Sequence, residues 1–434
     1  MKAIIKKFLP AFVLDYYHFL WALISAIVFG FPSKKIKVIG VTGTNGKTTT
    51  IELASAILKE AGYKVALLSS SKTEIDNKQE ENKLRMTMPG RGAVQRFLSQ
   101  AARAGCDYAM IEVTSEGIAQ FRHLFIDFAA AVLTNLSPEH IEAHGSFENY
   151  RAAKEKLFKS VKGIHILNLD DANVNFFLRY EAKEKYGYRL CPGKNEKADL
   201  NFIIEGEKIE ISPSGIKFFV KETEFSLSLL GKFNVYNALS AISIALSQGI
   251  ELEACKRGLE KIKSVPGRME VIAEKPFYIF IDYAFTPNAL SQVYETIKKS
   301  WQPKKMICVL GSCGGSRDKW KRPVLGELAA SYCDKVIVTN EDPYDEDPAE
   351  IINQVAAGAE RKTLEQGKIT GVVVMKIFER REAIRKAFFE AEAGDAVVIT
   401  GKGSEPSICL AHGKQIPWDE KKVAKEELEK ILRK

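Results

Sequence analysis

Val38-Ile39-Gly40-Val41-Thr42-Gly43-Thr44-Asn45-Gly46-Lys47-Thr48-Thr49-Thr50 runs an apolar strand directly into glycines, then Lys-Thr, then apolar residues at helical spacing (Ile51, Ala54, Ile57, Leu58). Glycines let backbone N–H groups close around phosphate oxygens, a lysine supplies a point charge between the outer phosphates, and a threonine hydroxyl can ligate Mg²⁺. The strict phosphate-loop spacing would need a glycine where Val41 stands, and the glycines here fall at 40, 43 and 46. A glycine-rich run alone is a turn. Preceded by a strand and followed by Lys47-Thr48 and a helix, it reads as a mononucleotide-phosphate loop.

The rest of the chain is compatible with a large enzyme. Its 434 residues suffice for two or three domains with their own cores. The net charge of +8 raises nucleic acid as a partner, but the lysines alternate with glutamates on helix-like segments such as Lys421–Lys434. That pattern describes solvated helix faces, so no nucleic-acid partner is expected. Seven cysteines, odd in number and without a C-x-x-C pair, predict a reducing compartment with neither a disulfide framework nor a zinc site. Residues 8–31 form an apolar block after Lys2, Lys6 and Lys7, interrupted by Asp15 and His18. Three readings stay open for it: a helix packed on the first domain, an interfacial membrane helix, or an anchor or signal. The phosphate loop follows at once, so a cytoplasmic location is expected, with membrane association on the cytoplasmic face if the block is interfacial. A monomer is expected.

Along the chain, Val65–Ser69, Tyr108–Val113 and Ala129–Thr134 read as further strands whose ends turn polar, as at a ligand edge. Asn201–Lys221 reads as antiparallel hairpins and Gly231–Gln248 as a helix. A hinge is placed near Val265-Pro266-Gly267-Arg268, followed by strands at Ile279–Tyr283, Met306–Gly311, Lys335–Thr339 and Ala396–Thr400 alternating with helices. The fold class is therefore α/β: a P-loop central domain with a mostly parallel sheet (34–265), then a Rossmann-like α/β domain (266–434), with residues 1–33 as an apolar helical segment.

Thr42-Gly43-Thr44-Asn45-Gly46-Lys47-Thr48-Thr49 closely resembles the loop of the Mur ligase family, ATP-dependent enzymes that join an amino acid to a carboxylate. Further segments repeat the resemblance in order. Glu112, in Glu-Val-Thr-Ser-Glu-Gly, matches a glutamate that binds nucleotide-bound Mg²⁺. Thr134-Asn135-Leu136-Ser137-Pro138-Glu139-His140 contains His140 at the position of a second Mg²⁺ ligand; the pair His140 and His144 would otherwise suggest zinc. Lys154, in Tyr150–Phe158, matches a lysine that becomes an N-carbamate, whose two anionic oxygens suit Mg²⁺ where an ammonium cannot.

By the same resemblance, Gly43, Thr44, Asn45, Gly46, Lys47, Thr48, Thr49, Asn237, Arg268 and Asp282 would bind ATP, with Thr48, Glu112, His140 and Lys154 holding metal. Lys47, Lys154, His140 and Arg268 would carry catalysis. Thr87, Thr114, Gln120 and Arg122 would hold a UDP-muramoyl-peptide-like acceptor, and Arg317, Asp342, Tyr344, Gly401 and Glu405 the amino acid. Several positions depart from the family pattern: Glu116 and Phe285 stand where histidine is usual, Tyr344 where D-N-P-R has arginine, and Ser404 where G-K-G-H-E has histidine. With Asp342 in place of the asparagine, lysine or another diamine is expected as substrate rather than meso-diaminopimelate, unless a nearby cation neutralises Asp342. The resemblance implies amide formation through an acyl phosphate, with ATP and Mg²⁺ as cofactors, in peptidoglycan precursor synthesis. It also implies an N-terminal UDP-binding domain that is not expected within residues 1–33. The alternatives are a Mur-type ligase acting on a related or lipid-linked acceptor, a folylpolyglutamate-synthetase-like ligase, and a P-loop regulatory module.

Overall fold

The computed structural model describes residues 10–81, 86–90, 92–192, 199–315, 317–365 and 372–433. Nine strands make the first sheet: β1 (Lys37–Thr42), β2 (Val65–Leu68), β3 (Lys72–Ile75), β4 (Lys78–Glu81), β5 (Tyr108–Glu112), β6 (Phe128–Leu133), β7 (Ile164–Asn168), β8 (Glu184–Arg189) and β9 (Phe202–Glu205), in the order 4-3-2-5-1-6-7-8-9. All neighbours pair in parallel except β2–β3 and β3–β4. Alternate side chains of β1 go to opposite faces. Ile39 and Val41 pack with Ile51, Ile57 and Leu239 of the helices Lys47–Glu60 and Phe233–Ser247, while Val38 packs with Phe97, Ile111, Leu133 and Leu157. A central strand buried on both sides explains why β1 is apolar throughout rather than alternating.

A small antiparallel sheet follows, β10 (Glu207–Ser212), β11 (Gly215–Val220) and β12 (Thr223–Leu227). The hairpins expected over Asn201–Lys221 are thus corrected in part: β9 joins the large parallel sheet beside β8, and the antiparallel set begins at Glu207. The C-terminal sheet contains β13 (Glu270–Ala273), β14 (Tyr278–Asp282), β15 (Met306–Leu310), β16 (Lys335–Val338), β17 (Val373–Lys376) and β18 (Ala396–Thr400), ordered 13-14-18-15-16-17 and parallel from β14 to β17. A two-stranded ladder, β19 (Ser407–Cys409) with β20 (Gln415–Pro417), precedes the last helix, Glu420–Leu432.

In the first sheet the strand order reverses beside β1, the strand that leads into the phosphate loop. The strand after β1 in sequence lies to one side beyond β5, and β6 lies on the other, so the loop after β1 opens into a crevice at the carboxyl edge. Between the sheets, Arg268 N–H bonds to the Val265 carbonyl in a tight turn, with Gly267 and Met269 at positive φ. The expectation of no disulfide is corrected at one place, where Cys308 of β15 is bonded to Cys333 just after the helix Lys321–Tyr332. No helix among the described residues is long and apolar enough to cross a membrane.

Candidate active site

The phosphate loop joins β1 to the helix Lys47–Glu60, and its glycines are dictated by contact as well as conformation. Gly43 has φ 146° and a Cβ there would fall 1.9 Å from Thr134 Oγ1; at Gly46, φ 83°, it would fall 2.4 Å from Asn237 Oδ1. The loop is held from β6 by residues the sequence reading quoted without assigning them a role. Thr44 N–H donates to the Asn135 carbonyl (2.8 Å), Asn45 N–H to Asn135 Oδ1 (3.0 Å), and Thr134 Oγ1 to the Asn45 carbonyl (2.7 Å). A Thr-Asn pair at the end of the strand beside a phosphate loop was the signal available for that role.

Lys47 Nζ lies over the loop, donating to the carbonyls of Gly43 (3.0 Å) and Thr44 (2.8 Å), and burial lowers its pKa. Thr48 Oγ1 donates to Glu112 Oε1 at 2.7 Å, and Glu112 also accepts from Ser70 N–H (2.9 Å) and Ser70 Oγ (3.0 Å). A hydroxyl and a buried carboxylate side by side at the loop form a hard-oxygen pair that suits Mg²⁺ completed by phosphate oxygens. The second set is looser. His140, at φ 56°, faces Glu116 with Nδ1 3.4 Å from Oε1, and its ring tilts against Tyr150. That hydrogen bond holds the Glu116 carboxyl down at about 2. Thus Glu116, anomalous in the sequence, has a partner in the structure. No group of three or more His, Cys, Asp or Glu placed to hold a metal ion is found among the described residues.

Lys154 is buried to 2 % exposure on the helix Phe147–Ser160, and its Nζ donates to the Gly43 carbonyl (3.0 Å) and Thr42 Oγ1 (3.3 Å). Burial, with the nearby Lys47 charge adding to it, pushes its pKa well below the lysine range. Carbamate formation requires the neutral amine, and this environment favours it.

A cavity of about 410 Å³ brings together the loop residues 43–49, Glu112, His140, Lys154, Asn237, Arg268 and Asp282, along with Thr87, Thr114 and Arg122. Gln120 is not on its wall, but its Oε1 accepts from Arg122 Nη2, so it orients that arginine. Thr114 caps the short helix Ser115–Ala119 through Gly117 N–H (3.0 Å). Asn237 Nδ2 donates to Asn234 Oδ1 (2.8 Å), leaving Oδ1 of Asn237 beside Gly46. Asp282 accepts from Met269 N–H and Ala284 N–H, both 2.6 Å, and burial raises its pKa to about 6. Arg268 lies over the Tyr283 ring at 4.4 Å.

An adjoining cavity of about 70 Å³ is lined by Arg317, Asp342, Tyr344 and Glu405, and shares Arg268, Tyr283 and Arg317 with the larger one. The Arg317 side chain makes no hydrogen bond or ion pair among the described residues. Gly401 does not line this cavity; its φ of 105° and tight contact with Glu341 make it a packing position. Of the two readings left open for Asp342, a free anion or a carboxylate paired with a nearby cation, the geometry fits the second. Its Oδ2 takes the buried Lys402 ammonium (2.9 Å) and its Oδ1 takes Cys409 N–H (2.7 Å), so it is neutralised within the wall. Glu405 likewise accepts from Tyr283 OH (2.8 Å) and Lys402.

The two halves touch across the cleft. Lys321 Nζ meets Glu139 Oε1 at 2.6 Å with both side chains at 2–3 % exposure, Asn45 Nδ2 reaches Thr286 Oγ1 (3.3 Å), and Glu142 exchanges hydrogen bonds with Asp318 and Lys319. The buried Lys321–Glu139 pair escaped the sequence reading, since two residues so far apart carry no local pattern.

This constellation, a phosphate loop facing an uncommitted guanidinium across a cleft between two α/β units, is that of a nucleotide-dependent ligase. Residues 41–245 match the Mur ligase middle domain and residues 267–403 the Mur ligase, glutamate ligase domain. The chain is 37% identical over 414 residues to the UDP-N-acetylmuramoyl-L-alanyl-D-glutamate--2,6-diaminopimelate ligase of Syntrophomonas wolfei subsp. wolfei (strain DSM 2245B / Goettingen), covering 93% of this chain and 81% of that one. It is 37% identical over 429 residues to the UDP-N-acetylmuramyl-tripeptide synthetase of Roseiflexus sp. (strain RS-1), covering 94% and 82%. A solved structure of a UDP-N-acetylmuramoyl-L-alanyl-D-glutamate--2,6-diaminopimelate ligase superposes with a TM-score of 0.59 at 30% identity, covering 92% of this chain and 79% of that one. The chain belongs to the Mur ligase family. It is an ATP-dependent ligase that forms amide bonds, in a family that uses ATP and Mg²⁺.

Proposed function

We propose that the chain joins the amine of an amino acid to a carboxylate of a UDP-N-acetylmuramoyl-dipeptide-like acceptor, in peptidoglycan precursor synthesis. An acceptor carboxylate oxygen attacks the γ-phosphorus of ATP and the bond to the ADP oxygen breaks. The amino-acid nitrogen then attacks the acyl carbon of the resulting acyl phosphate, phosphate leaves with one acceptor oxygen, and the amine proton passes to solvent. No side-chain nucleophile is needed. Lys47 and Arg268 offset charge on the transferring phosphoryl group, and the closed cleft excludes water that would hydrolyse the intermediate. Thr48 and Glu112 would hold one Mg²⁺ and His140 with carbamylated Lys154 a second; the ions supply further neutralisation of phosphate charge. Asn237 and Asp282 serve the nucleotide end, the latter by fixing the hinge at Met269. Thr87, Thr114, Gln120 and Arg122 serve the acceptor, and Arg317 grips the amino-acid carboxylate, bidentately as a planar guanidinium can.

One arrangement supports this reading most: the loop lysine and the unpaired Arg317 open onto adjoining cavities that share Arg268. The test is ADP release from ATP with UDP-N-acetylmuramoyl-dipeptide and a panel of amino acids. Release is expected only with acceptor and amino acid both present. ADP formed equally without acceptor, or from no amino acid at all, would overturn the reading.

A further inference from the structure

The helix Ala11–Val28 is built inside out. Set around a helix at about 100° per residue, Phe12, Tyr16, Trp21, Ile24, Ile27 and Val28 fall in one half of its circumference, and all six are exposed. Phe12 is 72 % exposed, Val28 70 %, Tyr16 64 % and Ile27 59 %. The other half, which carries Ser25, Ala26, Ala22 and His18, is the side laid on the protein. Ser25 and Ala26 are buried, the Ser25 hydroxyl crowds Gly92, and the Phe19 ring meets Phe121 and Phe125. A surface helix of a globular domain does the reverse, burying its large apolar residues and exposing its small and polar ones. So wide an apolar face left in water marks an interaction surface.

We infer that this face docks the enzyme on an anionic lipid bilayer, with the helix lying in the plane of the interface. Charge and composition select the bilayer over a protein partner. Lys2, Lys6 and Lys7 precede the helix in sequence, and exposed Lys34 and Lys35 follow it, so cationic groups flank both ends. The only acid in the helix, Asp15, is itself exposed but lies outside the arc of those six residues. Tyr16 and Trp21 have the amphipathic rings that settle at headgroup depth. A protein interface typically carries about ten hydrogen bonds, and among the described residues this face offers two tyrosine hydroxyls, Tyr16 and Tyr17, and one indole N–H. Half of the helix is committed to the protein, so it lies along the membrane rather than through it. Its inner face touches the Phe121–Phe125 turn that contains Arg122, a wall residue of the large cavity. The bound membrane therefore sits at the acceptor end of the cleft.

Vesicle flotation of the full chain tests this, using phosphatidylcholine vesicles with and without phosphatidylglycerol. The protein is expected to float with the anionic vesicles and to be released by salt. The triple variant Trp21→Ser, Ile24→Ser, Val28→Ser should lose roughly tenfold or more in partitioning, and Lys34→Glu with Lys35→Glu a smaller amount, while both retain nucleotide binding. The Lys34/Lys35 variant leaves the helix packing untouched and so separates docking from folding. Protein that stays with neither vesicle type, or binds both equally, overturns the inference. So does a lipid-free dimer that the serine variant converts to monomer, which would assign the face to a second copy.

Discussion

The phosphate loop and the small cavity at Arg317, the proposed amino-acid pocket, are built by different means. The loop is backbone: Gly43 and Gly46 are held against Thr134 and Asn237 so closely that no Cβ fits, and the Thr134-Asn135 pair pins the turn through main-chain groups. The pocket is side chain: Asp342, Lys402, Glu405 and Tyr283 form a charge network, and Arg317 faces the cavity with no hydrogen bond or ion pair among the described residues. Phosphate is the same ligand in every catalytic cycle, so the groups that cradle it tolerate little change. An amino-acid side chain differs between related ligases, and side-chain walls can be rebuilt around it. Every departure from the family pattern noted above, at Glu116, Phe285, Asp342, Tyr344 and Ser404, falls outside the loop.

The largest expected effect tests the loop. Lys47→Ala should reduce ligation by about a thousandfold or more, since one preorganised charge at a transferring group is worth that order. Fold and thermal stability should be kept, as measured by circular dichroism and ADP release in parallel. A loss under tenfold would place the phosphates elsewhere. Lys154→Ala should lose on the order of a hundredfold, with partial rescue by added short carboxylates that stand in for the carbamate; wild-type turnover would remove Lys154 from the site.

On the other side of the comparison, Asp342→Asn should act on stability rather than choice of substrate. It removes one of the two carboxylates on the buried Lys402 ammonium and leaves Glu405 paired with it, a loss of about 2 kcal/mol that a denaturant titration would read. The ratio of initial rates with L-lysine and meso-diaminopimelate should change by no more than about threefold, because an already neutralised carboxylate contributes little discrimination. A large shift in that ratio would restore Asp342 as a selector.

The smallest effect concerns the hinge. Asp282 has its pKa raised by burial to about 6 from 3.8, so the folded state holds this proton more tightly than the unfolded chain. As pH rises from 4 to 6 the unfolded state releases it first and stability falls; above about 6 the penalty is complete. The stability difference between the wild type and Asp282→Asn should therefore move in favour of Asn across that window and stay flat above it. A pH-independent difference would mean that Asp282 is ionised throughout.

The nucleotide end was readable because its determinants are contiguous. Strand, glycines, Lys-Thr and helix occupy one stretch, and the order of β1, β5 and β6 puts Glu112 and Thr134 at the same edge. For Asp342 the sequence left a free and a paired carboxylate both open, since its partners Lys402 and Cys409 come from segments far along the chain. Lys321–Glu139 and the Cys308–Cys333 bond have the same character. β9 was misplaced because an alternating pattern suits either an antiparallel hairpin or an edge strand of a parallel sheet. The helix Ala11–Val28 left its alternatives open because composition shows that it is apolar but not which side faces the protein.

The central claim is that the acceptor carboxylate is activated as an acyl phosphate in the cleft beside Lys47. It is tested most directly by labelling that carboxylate with ¹⁸O and analysing the inorganic phosphate released during ligation. One labelled oxygen per amide bond formed should appear in the phosphate. Phosphate free of label, with both labelled oxygens retained in the acceptor or its product, would contradict the account.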